Sequence, residues 1–236
     1  MTLNIAHRGF SGEYPENTML AFKKASETHC NGIETDVQLT KDGIPVLIHD
    51  ETLDRTSNGT GLVKDYTYSE LLKLDFGNGQ KIPALEDFIA FSKEKNLFIN
   101  LELKNSIIEY ESLESITLNL LDKYSYPKDK VILSSFNHYS MVNIKTLDKS
   151  YKTGLLYDCW IYEPGNYCRL CGADAMHPQF LSVLNKKLVD DIKIKDFQIN
   201  TYTVNDAEYM KKLLNLGIDG IITNYPDLLN QIMQQS

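Results

Sequence analysis

The sequence predicts an α/β fold, a closed (β/α)8 barrel with a small inserted subdomain after its second strand and that strand's hairpin arm. Three observations lead there. Short apolar runs beginning at Leu3, Ile33, Leu97, Val131, Thr153, Ala173, Gln198 and Gly220 alternate with helical patterns, which gives eight βα units. Eight such units in one chain favour a closed barrel over an open sheet, and 236 residues is a usual length for one. The third observation is a ninth apolar run, Ile44 to His49, that stands outside the alternation.

Leu3 to His7 reads as a buried strand ended by Arg8-Gly9, with a loop marked by Gly12 and Pro15. Asn17 is a plausible N-cap for a helix running to about His29, and Gly32 breaks that helix before the second strand. A parallel return strand needs a crossover of about ten or more residues. Only the few polar residues around Lys41-Asp42-Gly43 separate the second strand from Ile44, so the next run must return antiparallel, as a hairpin arm. Folding the register about Asp42 sets His49 opposite Thr35, level with Glu34 and Asp36.

Residues 51 to 82 carry Asn58-Gly59-Thr60-Gly61 and Gly77-Asn78-Gly79, with one short helical run, Tyr68 to Leu74, behind Thr67. They read as an inserted, loop-rich cap. A helix from Pro83 to Lys95 restores regular structure. Strands are then expected at 97–104, 131–136, 153–157, 173–178, 198–204 and 220–223. Helices are expected at 112–123, 139–147, 184–194 and 207–216, with a short one closing the chain. Between 157 and 173 the pattern predicts only an aromatic-rich loop around Trp160. The whole of 1–236 is expected to form one barrel domain.

Composition narrows the function. The net charge of −8, with no basic run, disfavours a nucleic-acid partner. No apolar stretch approaches the roughly 20 residues that span a bilayer. The N-terminal stretch lacks a basic region followed by an apolar one, so a cytoplasmic protein is expected. The four cysteines are expected as free thiols, Cys168-x-x-Cys171 being a lone pair without a partner motif.

Barrel enzymes carry their chemistry at the C-terminal ends of the strands. Those ends supply His7, Arg8, Glu34, Asp36, Glu102, Lys104, Ser134, His177, Thr203, Asn205, Thr223 and Asn224, and the arm adds His49. Glu34 and Asp36 share one face of a strand, as do Glu102 and Lys104, because side chains alternate. Clustered carboxylates repel unless one is protonated or a cation lies between them. An all-oxygen set points to a hard divalent ion, Mg2+ or Ca2+. Three carboxylates, a divalent ion, one phosphodiester, Arg8 and Lys104 sum to zero charge, which suits phosphate chemistry. His7 and His49 are left for acid–base work near neutral pH. His177, at a strand end, and Glu16 and Asn17, in the first loop, are further candidates for substrate contact; capping is the plainer role for the last two.

The chain resembles the glycerophosphodiester phosphodiesterase family. The matching pieces are His7-Arg8-Gly9, Pro15-Glu16-Asn17-Thr18, Ile33-Glu34-Thr35-Asp36-Val37, Thr40-Lys41-Asp42-Gly43, His49-Asp50, Leu53-Asp54-Arg55-Thr56, Ile82-Pro83-Ala84-Leu85, Glu102-Leu103-Lys104, Thr203-Val204-Asn205 and Gly217 through Asn224. They follow the family's order over almost the whole chain. The resemblance implies a TIM-type barrel with a small insertion and a Ca2+ or Mg2+ ion on Glu34, Asp36 and Glu102. It implies His7 and His49 as the acid–base pair, with Arg8 and Lys104 on the phosphate. It also implies a small-molecule glycerophosphodiester substrate, cleaved through a cyclic phosphate to glycerol 3-phosphate and an alcohol. One departure is Tyr202, where family members often carry Trp; it bears on the alcohol or glycerol preference. Two other readings stay open: a lysophospholipase D or sphingomyelinase D-like lipid phosphodiesterase, and a non-catalytic barrel that binds phosphodiesters. Head group, native metal and the choice between monomer and homodimer are open as well.

Overall fold

The structure is a computed structural model that describes residues 2–235. Its strands are β1 (Leu3–His7), β2 (Gly32–Leu39), β3 (Pro45–Leu47), β4 (Phe98–Leu103), β5 (Val131–Ser135), β6 (Lys152–Tyr157), β7 (Ala175–Pro178), β8 (Gln198–Thr201) and β9 (Gly220–Thr223). All but β3 pair in parallel, and β1 bonds to both β9 and β2, which closes an eight-stranded barrel. The helices are α1 (Met19–Glu27), α2 (Tyr68–Leu71), α3 (Leu85–Glu94), α4 (Leu113–Lys123), α5 (His138–Leu147), α6 (Pro164–Cys171), α7 (Lys186–Lys193), α8 (Ala207–Asn215) and α9 (Pro226–Gln234).

The main core lies between barrel and helices. Alternate strand residues such as Ile33, Val37, Leu101, Leu133, Met176 and Ile221 meet Phe22, Phe88, Leu121, Ile144 and Leu229 from the helices. A smaller core lies under the insertion, where Leu53, Val63, Leu71, Phe76 and Ile82 pack on Val46 and Ile48 of the arm. The helix α2 starts with a capping box, Thr67 and Glu70 each bonding the other's backbone N–H. No helix among the described residues is long and apolar enough to cross a membrane.

The hairpin register follows the sequence prediction: Val37 pairs with Leu47, Gln38 with Val46 and Leu39 with Pro45, antiparallel. Strand β4 runs along one edge of β2 from Gly32 to Val37. Strand β1 takes the other edge only as far as Glu34, and β3 takes over that edge from Val37. The end of β1 and the end of the arm therefore abut. His7 arrives from one and His49 from the other.

Two expectations fail locally. The segment after β6 contains α6, which the pattern does not reveal. Its buried stripe is Pro164, Gly165 and Cys168, too small to read as a periodic apolar face. The cap of α1 is Thr18, whose hydroxyl accepts from the Ala21 N–H, and not Asn17. Asn17 lies one position earlier with φ 55° and turns its amide inward.

Candidate active site

The register of the barrel brings three acids together. In β2 and β4, Asp36 pairs with Glu102, and Glu34 sits two residues back on the same face. Glu34, Asp36 and Glu102 are 3%, 1% and 9% exposed. Each offers one oxygen, and these oxygens lie within 4.8 Å of one another. Burial, then repulsion from Asp36 and Glu102, pushes the Glu34 carboxyl well above the usual range. Burial and Asp36 push Glu102 up as well. Asp36 goes the other way, to about 2: burial opposes its ionisation, but Arg8, His49, Lys104 and the Asn17 hydrogen bond together outweigh it. One carboxylate is thus held ionised and two are driven toward protonation.

The donor set fits a hard divalent cation. It is all oxygen. Asp36 Oδ1 is buried without a hydrogen-bond partner, an acceptor that the protein leaves open. One oxygen of each acid is held by a local contact. Glu34 Oε2 accepts the Arg8 N–H (3.0 Å), Asp36 Oδ2 accepts from Asn17 Nδ2 (2.9 Å), and Glu102 Oε1 accepts from Lys104 Nζ (3.0 Å). Arg8 Nε lies 3.2 Å from Asp36 Oδ2.

The backbone turn that delivers Arg8 needs the next residue to be glycine. Arg8 has φ 55° and Gly9 φ 82°, and a Cβ on Gly9 would sit 2.7 Å from the carbonyl carbon of Ala21 in α1.

Two imidazoles flank the acids, each tied by Nδ1. His7 Nδ1 is 2.6 Å from Asn224 Oδ1, and His49 Nδ1 is 2.6 Å from Asp50 Oδ1. Both acceptors fix the proton on Nδ1 and leave Nε2 unbonded. His7 Nε2 is 3.9 Å from Glu34 Oε2. Burial, reinforced by the Arg8 charge, lowers His7 to about 4, so its ring is neutral at pH 7.

His7, Arg8, Glu34, His49, Asn100 and Glu102 line a cavity of about 160 Å3 together with Phe136, Leu156, Tyr202, Thr203 and Ile222. The Tyr202 hydroxyl donates to the Tyr157 carbonyl (3.0 Å), and its ring packs edge-on against Phe136. Larger clefts, of about 580, 460, 280 and 210 Å3, open elsewhere and contain none of these three acids and neither of these histidines. Convergent titratable groups, not volume, mark the site.

The structure gives three candidate substrate contacts partners within the protein. Glu16 is committed to other side chains: its carboxylate accepts from Arg8 Nη1 (2.8 Å) and from both Nη atoms of Arg55 (2.8 Å each). Asn17 is 4% exposed and spends its amide on Asp36 and on the Thr35 hydroxyl. His177 is 0% exposed, because its side chain points into the barrel and not over its mouth. Its Nε2 is 2.9 Å from Asn200 Nδ2 and so accepts, and a Cβ on Gly154 would lie 2.3 Å from that nitrogen. Glycine at 154 makes room for the ring. Lys104 is buried and reaches the cluster through Glu102.

Sequence reading gave no role to Asn224 or Arg55. Asn224 was visible as a strand-end residue, but its contact with His7 depends on β9 closing onto β1. Trp160 and Tyr162 stand exposed on the outer loop, away from this cavity.

Comparison with known proteins agrees with this geometry. The family model described as glycerophosphoryl diester phosphodiesterase matches residues 7–228. A glycerophosphodiester phosphodiesterase of Caldanaerobacter subterraneus subsp. tengcongensis is 40% identical, covering 99% of this chain and 98% of its own. One of Bacillus altitudinis is 38% identical, covering 100% and 99%. Among solved structures, an Oleispira antarctica phosphodiesterase in complex with the product sn-glycerol-3-phosphate superposes with a TM-score of 0.89 at 30% identity, covering 98% of this chain and 96% of that one. The chain belongs to the glycerophosphoryl diester phosphodiesterase family, and it is an enzyme of that activity.

Proposed function

We propose that the chain hydrolyses glycerophosphodiesters to glycerol 3-phosphate and an alcohol with a divalent cation, Ca2+ or Mg2+, held by Glu34, Asp36 and Glu102. The observation that carries this reading is the pair of imidazoles, His7 and His49, each tied by Nδ1 and lining one cavity, beside three buried acids with an unpaired oxygen on Asp36. The cation would supply Lewis-acid stabilisation of the phosphoryl charge. Arg8 and Lys104 add positive charge around the phosphate.

His7 is tied to a neutral amide and stays an uncharged imidazole, so its Nε2 suits the base that takes the proton of the glycerol hydroxyl next to the ester. That oxygen attacks phosphorus, and the bond to the leaving alkoxide breaks. His49 is tied to a carboxylate, which compensates the ring when it carries a second proton; it suits the acid that protonates the alkoxide. Water then opens the cyclic phosphate with the roles reversed. The product-bound Oleispira antarctica relative supports glycerol 3-phosphate as the product here.

The test is hydrolysis of glycerophosphocholine by chelated protein, with Ca2+ or Mg2+ restored separately. Activity that vanishes on chelation and returns with either ion is expected. Undiminished turnover after exhaustive chelation would refute the metal assignment.

A further inference from the structure

We propose that Arg55, on the inserted cap, is a positioning residue that holds both halves of the catalytic site in register. The inference rests on the reading of His49 as a proton carrier. Its basis is one guanidinium shared between two carboxylates. Arg55 Nε donates to Asp50 Oδ2 (2.7 Å) and Nη2 to Asp50 Oδ1 (2.9 Å). On the other edge, Nη1 donates to Glu16 Oε2 and Nη2 to Glu16 Oε1, both at 2.8 Å. Each acid is therefore gripped by two parallel N–H groups, the geometry that a planar guanidinium offers and an ammonium does not.

Each gripped acid has its second contact inside the site. Asp50 Oδ1 lies on His49 Nδ1, and Glu16 Oε1 accepts from Arg8 Nη1. Arg8 in turn lies against Asp36. The result is a chain of alternating charge, His49–Asp50–Arg55–Glu16–Arg8–Asp36, that joins a proposed acid to a proposed metal ligand around the outside of the barrel mouth. Arg55 is the one member supplied by the cap. Its loop is anchored by Leu53, fully buried in the cap's own core, and closed by the Ser57 N–H to Leu53 carbonyl bond (3.0 Å).

Position separates this role from a general contribution to stability. The Arg55 side chain is 47% exposed, and exposed ion pairs contribute little to folding. The orientation of His49 and Arg8 depends on it more than the fold does. Without Arg55, Asp50 and Glu16 keep one partner each and are free to turn into solvent.

The experiment is a kinetic cycle on glycerophosphocholine with Arg55→Ala, Asp50→Asn and the double variant, each checked by thermal unfolding. Arg55→Ala should lower kcat about 10- to 100-fold, the range for losing a residue that orients a site ligand, at an unchanged unfolding midpoint. Added guanidinium should restore part of the loss. The double variant should lose less than the product of the two single losses, because both act on His49. Wild-type kcat in Arg55→Ala, losses that multiply, or no rescue by guanidinium would overturn the inference. His49→Ala serves as the separate control. If it retains full activity, the reading of His49 is wrong; if it is inactive while Arg55→Ala is not, only the Arg55 inference fails.

Discussion

The barrel interior holds two polar clusters of opposite design. Deeper in, His177 Nε2 meets Asn200 and Ser134 Oγ donates to Asn100 Oδ1 (2.8 Å), all of them neutral groups, with His177 Nδ1 buried and unpaired. Burial lowers His177 to about 3, which keeps its ring uncharged. At the mouth, Glu34, Asp36 and Glu102 crowd like charges, with the buried Asp36 Oδ1 left unpaired. The side-chain parity is the same in both, since Glu102 pairs with Ser134, Ser134 with Gly154, and Leu156 with His177. What differs is charge. A buried neutral pair contributes to stability, whereas a buried cluster of acids costs stability until a cation joins it. Only the mouth is arranged to gain from a ligand.

That contrast is broken or sharpened by substitutions in each cluster. Glu34→Gln should lower kcat/KM by about three orders of magnitude if electrostatic stabilisation of the phosphoryl group is the main loss, measured on glycerophosphocholine. The same variant, metal-free, should unfold at the same or a higher temperature than the wild type. The sign follows from linkage: the folded Glu34 carboxyl is raised above its ordinary value of 4.5, so the folded state binds the extra proton. Its contribution to stability is present below that pH and lost as pH rises through the raised value. The advantage of Glu34→Gln should therefore grow as pH rises above 4.5.

His7→Ala and His49→Ala come next. Each should cost about two or more orders of magnitude in kcat while circular dichroism and the unfolding midpoint stay near wild type. The deeper cluster should behave in the opposite way. Gly154→Ala forces a methyl against His177 Nε2 and should destabilise by about 1–3 kcal/mol in denaturant titration, with kcat within twofold of wild type. A large loss of kcat with little loss of stability there would move His177 back into the reaction. The smallest effect is expected for Asn224→Ala. It removes the acceptor on His7 Nδ1 but no reacting group, and should lower kcat about tenfold.

Periodicity and connection length carried most of the fold. The hairpin register could be read because only a few residues join β2 to the arm, and a tight turn leaves little freedom. The helix α6 could not, because small residues pack closely without making an apolar stripe. The acids and histidines of the mouth were legible because local alternation places them. The relations among them were not. Glu16 and Arg55 meet 39 residues apart in sequence, and His7 and Asn224 meet 217 apart, across the closure of the barrel. His177 was misplaced for a related reason: a strand-end position does not reveal a glycine on the neighbouring strand that opens space inward.

Thermal unfolding of the chelated protein with and without added Ca2+ or Mg2+ tests the cation site most directly, because it needs no substrate. The wild-type midpoint should rise with either ion, by the equivalent of about 2.7 kcal/mol at a hundredfold excess over Kd, and Glu34→Gln should respond weakly or not at all. An equal rise in both proteins, or none in the wild type at millimolar ion, would contradict a cation site at the barrel mouth.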